Sequence, residues 1–359
     1  MRFIVCSTLA ALLLAGSASG CGDKSASSGS ASADAEPAST PAKSSSPKKA
    51  GELPKDADPG VVAELKKVGV CEREEGRRKD GCEAQDAWDK FVEKFVEEDD
   101  LNLTKQKKLA KACFSLITDE KENIRETAYD CVASYSDGIE DPAAVLAIVM
   151  SRIESETNSN VQSGMFEVID DMDPTKHGFA PDVLKLAKKL SERDGTSFEV
   201  NRLVAALTPE KPDMEPTEEA FAFGLELVAK KKSGHSEALT LITRSPKKAK
   251  EACAALLTLV ETKKNGWSGA VDAMSKVDGA CKEHADKVIE VVVLKAGEGE
   301  GYDKGFIGAD VIYFERLLEK GIFSAEQKAK VKTAVQPLLD KAKEDHQKKT
   351  YQSLLDKLK

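Results

Sequence analysis

The sequence predicts an all-α fold, an α-solenoid of stacked helical hairpins behind a disordered N-terminal tether, and three observations lead there. From residue 58 onward apolar residues recur at helical spacing almost without interruption, runs suited to strands are nearly absent, and one short pattern returns at a near-constant interval.

The first element is not part of that fold. Arg2, the apolar run Phe3 to Ala15 and the small residues Gly16 to Gly20 have the cationic, apolar and small-residue regions of a secretory signal peptide over 1–20. The run is short for a membrane span, which takes about 20 apolar residues. Next comes Cys21 and a linker reaching residue 57. Between Gly22 and Ala50 it holds nine Ser and seven Ala but no Val, Ile, Leu, Met or aromatic residue. Such a segment cannot bury enough apolar surface to offset its chain entropy and stays disordered, with a coil reach of roughly 30 Å.

Ala18-Ser19-Gly20-Cys21 resembles the lipobox of bacterial lipoproteins, with Ala18 where that family usually has leucine. The resemblance implies that Cys21 is the first mature residue and carries a diacylglyceryl group and usually an amide-linked acyl chain, enough acyl chains for stable anchoring. It further implies a lipid-anchored protein of the bacterial cell envelope. Gly22 is not the aspartate that retains such proteins in the inner membrane, which favours the outer membrane, facing the periplasm or the cell surface. A cut by signal peptidase I after Ala18 or Gly20 would instead leave Cys21 as an odd thiol.

Residues 58–102 read as an N-terminal helical cap. Asp58-Pro59 offers an N-cap side chain followed by proline at the first helical position, and Cys71 and Cys82 close the polar loop "EREEGRRKDG". Residues 103–359 read as the repeats and their C-terminal capping helices. Val145, Ile148, Val149 and Ile153 line one helix face; Val183, Leu186, Ala187 and Leu190 line another; Val200, Leu203, Val204 and Leu207 a third. Asp141-Pro142 and Ser245-Pro246 repeat the start signal, and "SAEQ" at 324–327 reads as a capping box. "VIEVVVL" at 288–294 is rich enough in branched residues for a strand. The length of Cys281 to Lys295 and its helical neighbours favour a buried helix.

The stretches "ETAYDCV" from 126, "QSGMFEV" from 162, "SEALTLI" from 236 and "SGAVDAM" from 268 share a small residue in third place among apolar ones. "NRLVAAL" from 201 fits except for Leu203. Those third positions, 128, 164, 203, 238 and 270, are 36, 39, 35 and 32 residues apart. Each falls on the second helix of a pair, and over about residues 103 to 345 the pattern resembles HEAT-like or armadillo-like repeats. Their arginine, aspartate and proline signatures are mostly missing, apart from fragments such as "DDMDP" at 170–174. An irregular helical bundle is the alternative. A fixed period favours the solenoid, where each pair buries its apolar face only against the next.

Of eight cysteines, Cys6 belongs to the signal and Cys21 to the anchor, leaving Cys71, Cys82, Cys113, Cys131, Cys253 and Cys281. An even remainder in an exported chain suggests bridges. Cys113 and Cys131 lie nine residues either side of Glu122, and Cys253 and Cys281 lie 14 either side of Trp267, as residues facing each other across a helical hairpin would. Three sequential bridges follow, each worth about 3 kcal/mol by loop entropy. Alternatively the helical cysteines are small buried apolar residues, above all Cys113 on its stripe with Leu109 and Ile117. No pair has CxxC spacing, so no metal is expected.

The formal charge of −9, with both signs interspersed, gives no reason to expect nucleic-acid binding. The short basic runs Arg77 to Lys79, Lys230 to Lys232 and Lys247-Lys248 read as solvated clusters or helix-end cations. GxSxG, HExxH and Walker sequences are absent from the chain. Four histidines occur, His177, His235, His284 and His346, and only Cys281 with His284 has a spacing that would activate a thiolate. "DMDPTKHGFAPD" at 171–182 lacks the glycine and glutamate of a calcium loop, and "GEGEG" at 297–301 follows a helix and reads as a hairpin turn. The expectation is therefore a non-catalytic, cofactor-free scaffold held at the membrane by its lipid and binding another envelope protein. The alternative is a hydrolase or redox enzyme with a divergent site.

Overall fold

Asp58 starts the first helix as its side chain suggests. Its Oδ1 accepts the amides of Gly60 and Val61 at 2.9 and 3.2 Å, and α1 runs Pro59–Lys67. The computed structural model describes residues 51–96, 103–209, 214–230, 235–262, 267–277, 279–295 and 309–359. The signal segment, Cys21, most of the linker and the stretch 297–301 lie outside the described residues.

The loop between Cys71 and Cys82 is more ordered than its composition implies. It holds a two-stranded antiparallel ribbon, β1 (Arg73–Glu74) and β2 (Arg77–Arg78), with Arg73 opposite Arg78. Glu75 and Gly76, at φ +49° and +79°, make the reversal, the double left-handed step that a two-residue hairpin turn needs. Then α2 (Glu83–Val96) packs on α1 to form the cap.

Five hairpins follow: α3 (Leu103–Phe114) with α4 (Glu122–Ser134), α5 (Pro142–Arg152) with α6 (Ser159–Asp171), α7 (Ala180–Ser191) with α8 (Ser197–Ala206), α9 (Glu218–Lys230) with α10 (His235–Thr243), and α11 (Ala249–Thr262) with α12 (Trp267–Met274). The Asp141 carboxylate caps α5 by accepting the Ala144 amide at 3.0 Å. Ser245-Pro246 behaves differently. It opens a 3₁₀ turn, Pro246–Lys248, ahead of α11, and Ser245 makes no capping bond.

The "VIEVVVL" segment is helical and buried, but its coil loosens along its length. A 3₁₀ turn at Ala280–His284 leads to α13 (Ala285–Val288) and then a π-helical stretch, Ile289–Leu294. Next come α14 (Ala309–Glu319), α15 (Ala325–Lys341) and α16 (Asp345–Lys357). The capping box on α15 forms: Gln327 N–H donates to Ser324 Oγ at 3.2 Å and Ser324 N–H to Gln327 Oε1 at 2.9 Å.

Packing follows the repeat. The second helices stack in order, α4 on α6, α6 on α8, α8 on α10, α10 on α12, α12 on α14 and α14 on α16. The repeat's third positions, Ala128, Gly164, Leu203, Ala238 and Ala270, are buried on α4, α6, α8, α10 and α12. Small residues there let neighbouring helices approach closely. This is an α-solenoid, and residues 49–359 form one compact unit that includes the cap.

Candidate functional site

Cys21 lies outside the described residues. The other six cysteines come together in three sequential pairs. Sulfur atoms are 2.03 Å apart for Cys71 and Cys82, 2.01 Å for Cys113 and Cys131 and 2.13 Å for Cys253 and Cys281, with Cα atoms 5.6, 6.0 and 5.5 Å apart. The first pair closes the ribbon loop and the second joins α3 to α4 across their hairpin. The third departs from the expected geometry: Cys281 stands on the 3₁₀ turn after α12, so Cys253 of α11 is tied to the exit of its hairpin rather than to the facing helix. Because α12 ends at Met274, equal spacing about Trp267 overshoots it. Cys281 has its sulfur in that pair, which leaves no thiolate for His284; the imidazole lies 3.7 Å from the Glu283 carboxylate instead.

In the basic run at 77–79 Arg77 and Lys79 are exposed, as a solvated cluster would be, but Arg78 is not: with Arg73 it docks on the helices. Arg73 donates to Glu126 at 2.8 Å and to Asn123 at 2.6 Å, and Arg78 donates to Thr127 at 2.9 Å and to Gln85. Asn123 returns a bond to the Cys71 carbonyl at 2.5 Å, and Asn158 at the start of α6 donates to the Gly76 carbonyl at 3.2 Å. The stapled ribbon is thus docked on α4 and α6. Nearby, Arg125 grips Glu156 through two bonds of 3.0 and 3.1 Å, with side chains only 11% and 7% exposed. Burial pushes the Glu156 carboxyl up, but the Arg125 bonds and the amides of Asn158 and Thr157 outweigh it and hold it below the usual carboxylate range.

A row of polar pairs runs along the stacked helices. Glu126 accepts from Asn160 of α6 at 3.4 Å, Arg202 of α8 donates to Asp170 of α6 at 3.0 Å and reaches Glu167 at 3.5 Å, and Ser236 of α10 donates to Asn201 of α8 at 3.2 Å. Arg316 of α14 bonds Asp272 of α12, and Lys357 of α16 bonds Glu315 of α14 at 2.7 Å. Between α4 and α10 the row is richer in carboxylates than in cations. Asp170 is pushed above the usual range by burial, against the pull of Arg202. Glu237 is raised by burial and then by the charge of Asp170. Packed protein and then the Glu126, Glu167 and Asp89 charges raise Asp130, with Arg78 opposing. Asp130 is itself exposed, so the like charges are the durable part of that shift.

The remaining candidates are structural. Asp173, at φ +45°, accepts from Thr175 and from the Lys176 amide, a local turn rather than an ion cradle. Among the described residues no group of three or more His, Cys, Asp or Glu is arranged to hold a metal ion, and no helix is long and apolar enough to cross a membrane. Lys247 and Lys248 pair with Glu215 and Glu218. Sequence reasoning missed Arg125, Glu156, Asp170, Arg202 and Glu237. Arg202 and Glu237 each stand one residue before a repeat's third position, which is the signal they offered. No protein-family model, curated protein or solved structure matches this chain.

Proposed function

We propose that this chain is a lipid-anchored, HEAT-like scaffold of the bacterial cell envelope that works without catalysis, by binding another envelope protein along the face of α4, α6, α8 and α10. The observation that carries the reading is the stacking of those helices. It turns one polar strip per helix into a continuous surface several repeats long, the kind of surface solenoids use for protein partners. Burial raises both Asp170 and Glu237, and the Asp170 charge raises Glu237 further, which favours a partner that brings a Lys or Arg to Glu237. Cys21 supplies the anchor in this reading, and the linker gives the domain room to reach its partner.

Photo-crosslinking in the native envelope tests it. A crosslinking residue at Asp170 should give one discrete adduct, and one at Lys185, exposed on α7, should give none. Asp170→Lys combined with Glu237→Lys should abolish an adduct formed from Glu167. Equal labelling from both faces would sink the surface assignment. Cys21→Ala should move the folded protein out of the membrane fraction, and an unmodified Cys21 at the mature N-terminus, read by mass spectrometry, would refute the anchor.

A further inference from the structure

One cleft adjoins the polar row. It lies at the edge between two successive hairpins, where the end of α10, the start of α11 and the end of α12 meet. Its walls are Thr240, Thr243, Arg244, Ser245, Ala249 and Lys276, with Pro246 and Val277 completing them, and its volume is about 380 Å³. Other clefts on the molecule, those lined by Glu126, by Glu140 and by Glu199, mix carboxylates with their cations. Here Arg244 and Lys276 line the wall with Thr240, Thr243 and Ser245 and no carboxylate does; Thr243 donates to the Thr240 carbonyl at 2.8 Å and Ser245 to Glu215 at 3.5 Å, outside the wall.

The local carboxylates are already engaged. Glu215 lies 3.5 Å from both Lys247 and Ser245, Glu218 pairs with Lys248, and Asp272 bonds Arg316 and Lys276, the latter at 3.0 Å. Arg244 is left with no counter-ion among the described residues. A guanidinium in a concave, hydroxyl-lined site matches a tetrahedral oxyanion in geometry, and Lys276, exposed and paired with Asp272 at 3.0 Å, is a second cation that a dianion would share with that carboxylate. Phosphate alone would leave most of the space empty. Pro246, Ala249 and Val277 form an apolar ledge for an organic portion, and the volume falls in the range of small-molecule sites, roughly 300 to 1,000 Å³.

We propose that this cleft binds a small phosphate-bearing molecule, its phosphate held by Arg244 and Lys276 and its organic part on the Pro246, Ala249 and Val277 ledge. The site borders the proposed scaffold face at the end of α10 and uses nothing of the lipid anchor. If Arg244 served only to complement the C-terminal end of α10, any cation there would do, so Arg244→Lys separates the two roles. Calorimetric titration of the full chain at fixed ionic strength should show saturable binding of glycerol 3-phosphate, weaker binding of inorganic phosphate and none of glycerol. Arg244→Gln and Lys276→Gln should each weaken it about tenfold or more, and Arg244→Lys should weaken it with an unchanged melting temperature. Cys21→Ala protein mixed with phosphatidylglycerol vesicles distinguishes the source: binding lost in Arg244→Gln assigns the phosphate to a lipid headgroup, and binding of glycerol 3-phosphate without vesicle binding assigns it to a soluble ligand. Absence of saturable binding of either phosphate below about 10 mM, or binding indifferent to all three substitutions, overturns the proposal.

Discussion

Replacing Gly164 by alanine asks whether α4 and α6 stack as tightly as the repeat requires. In an unobstructed helix the change stabilises by about 1 kcal/mol. At this position a Cβ would lie 2.9 Å from Tyr129 Cβ and 3.4 Å from Asp130 Oδ1. Tyr129 is 1% exposed, and its Cβ is fixed by the α4 backbone, so it cannot rotate out of the way. The two helices must separate, and overpacking of that kind costs about 1 to 3 kcal/mol, which cancels or exceeds the propensity gain. Gly269 is the matched control. Its nearest neighbour is Leu239 Cδ1 at 3.4 Å, the far end of a flexible side chain. Gly269→Ala should therefore stabilise by up to about 1 kcal/mol while Gly164→Ala is neutral to destabilising by about 2. Gly164→Leu should cost roughly 3 kcal/mol or more. Urea unfolding followed by circular dichroism reads the difference. Hydrogen exchange in α4 and α6 shows whether the loss is local, since arrays can unfold in segments. If Gly164→Ala stabilises as much as Gly269→Ala, close stacking at the repeat's small position is wrong.

The Arg125 and Glu156 pair makes a pH prediction. The Glu156 carboxyl is held below its ordinary range, so its contribution is complete above the unfolded pKa of about 4.3 and is lost as pH falls through the folded value. Stability measured from neutral pH downward should fall in that window, and Arg125→Met should cost about 3 to 5 kcal/mol at neutral pH by stranding a buried carboxylate, with a flatter acid limb. An acid limb of unchanged slope would contradict the assignment. Non-reducing peptide mapping should recover Cys71 with Cys82, Cys113 with Cys131 and Cys253 with Cys281; free thiols at Cys113 and Cys131 would return them to the role of small buried residues.

Two kinds of signal could be read from the sequence, those acting within a few residues and those repeating or spaced symmetrically about a turn, such as the small third positions and the cysteine pairs. Asp58 and Asp141 cap their helices because an N-cap needs only the next turn, and the third-position small residues mark stacking because each helix meets its neighbour at the same height. Ser245-Pro246 has the same local form and fails as a cap because a 3₁₀ turn intervenes before α11. The Cys253 partner was legible but its element was not, since helix length rather than symmetry about Trp267 decides where the chain turns. The polar surface was missed because its partners are not local, yet their spacing is far from arbitrary. Arg125 meets Glu156 across 31 residues, Arg202 meets Asp170 across 32, Asn160 meets Glu126 across 34, Ser236 meets Asn201 across 35 and Asn158 meets Glu122 across 36. Those separations are one repeat. In a stacked array a side chain's lateral neighbour is the residue one period away, so complementary polar residues offset by the apolar period were a readable signal of the surface. The same apolar pattern that fixed the stacking had already set the distance at which to look for them.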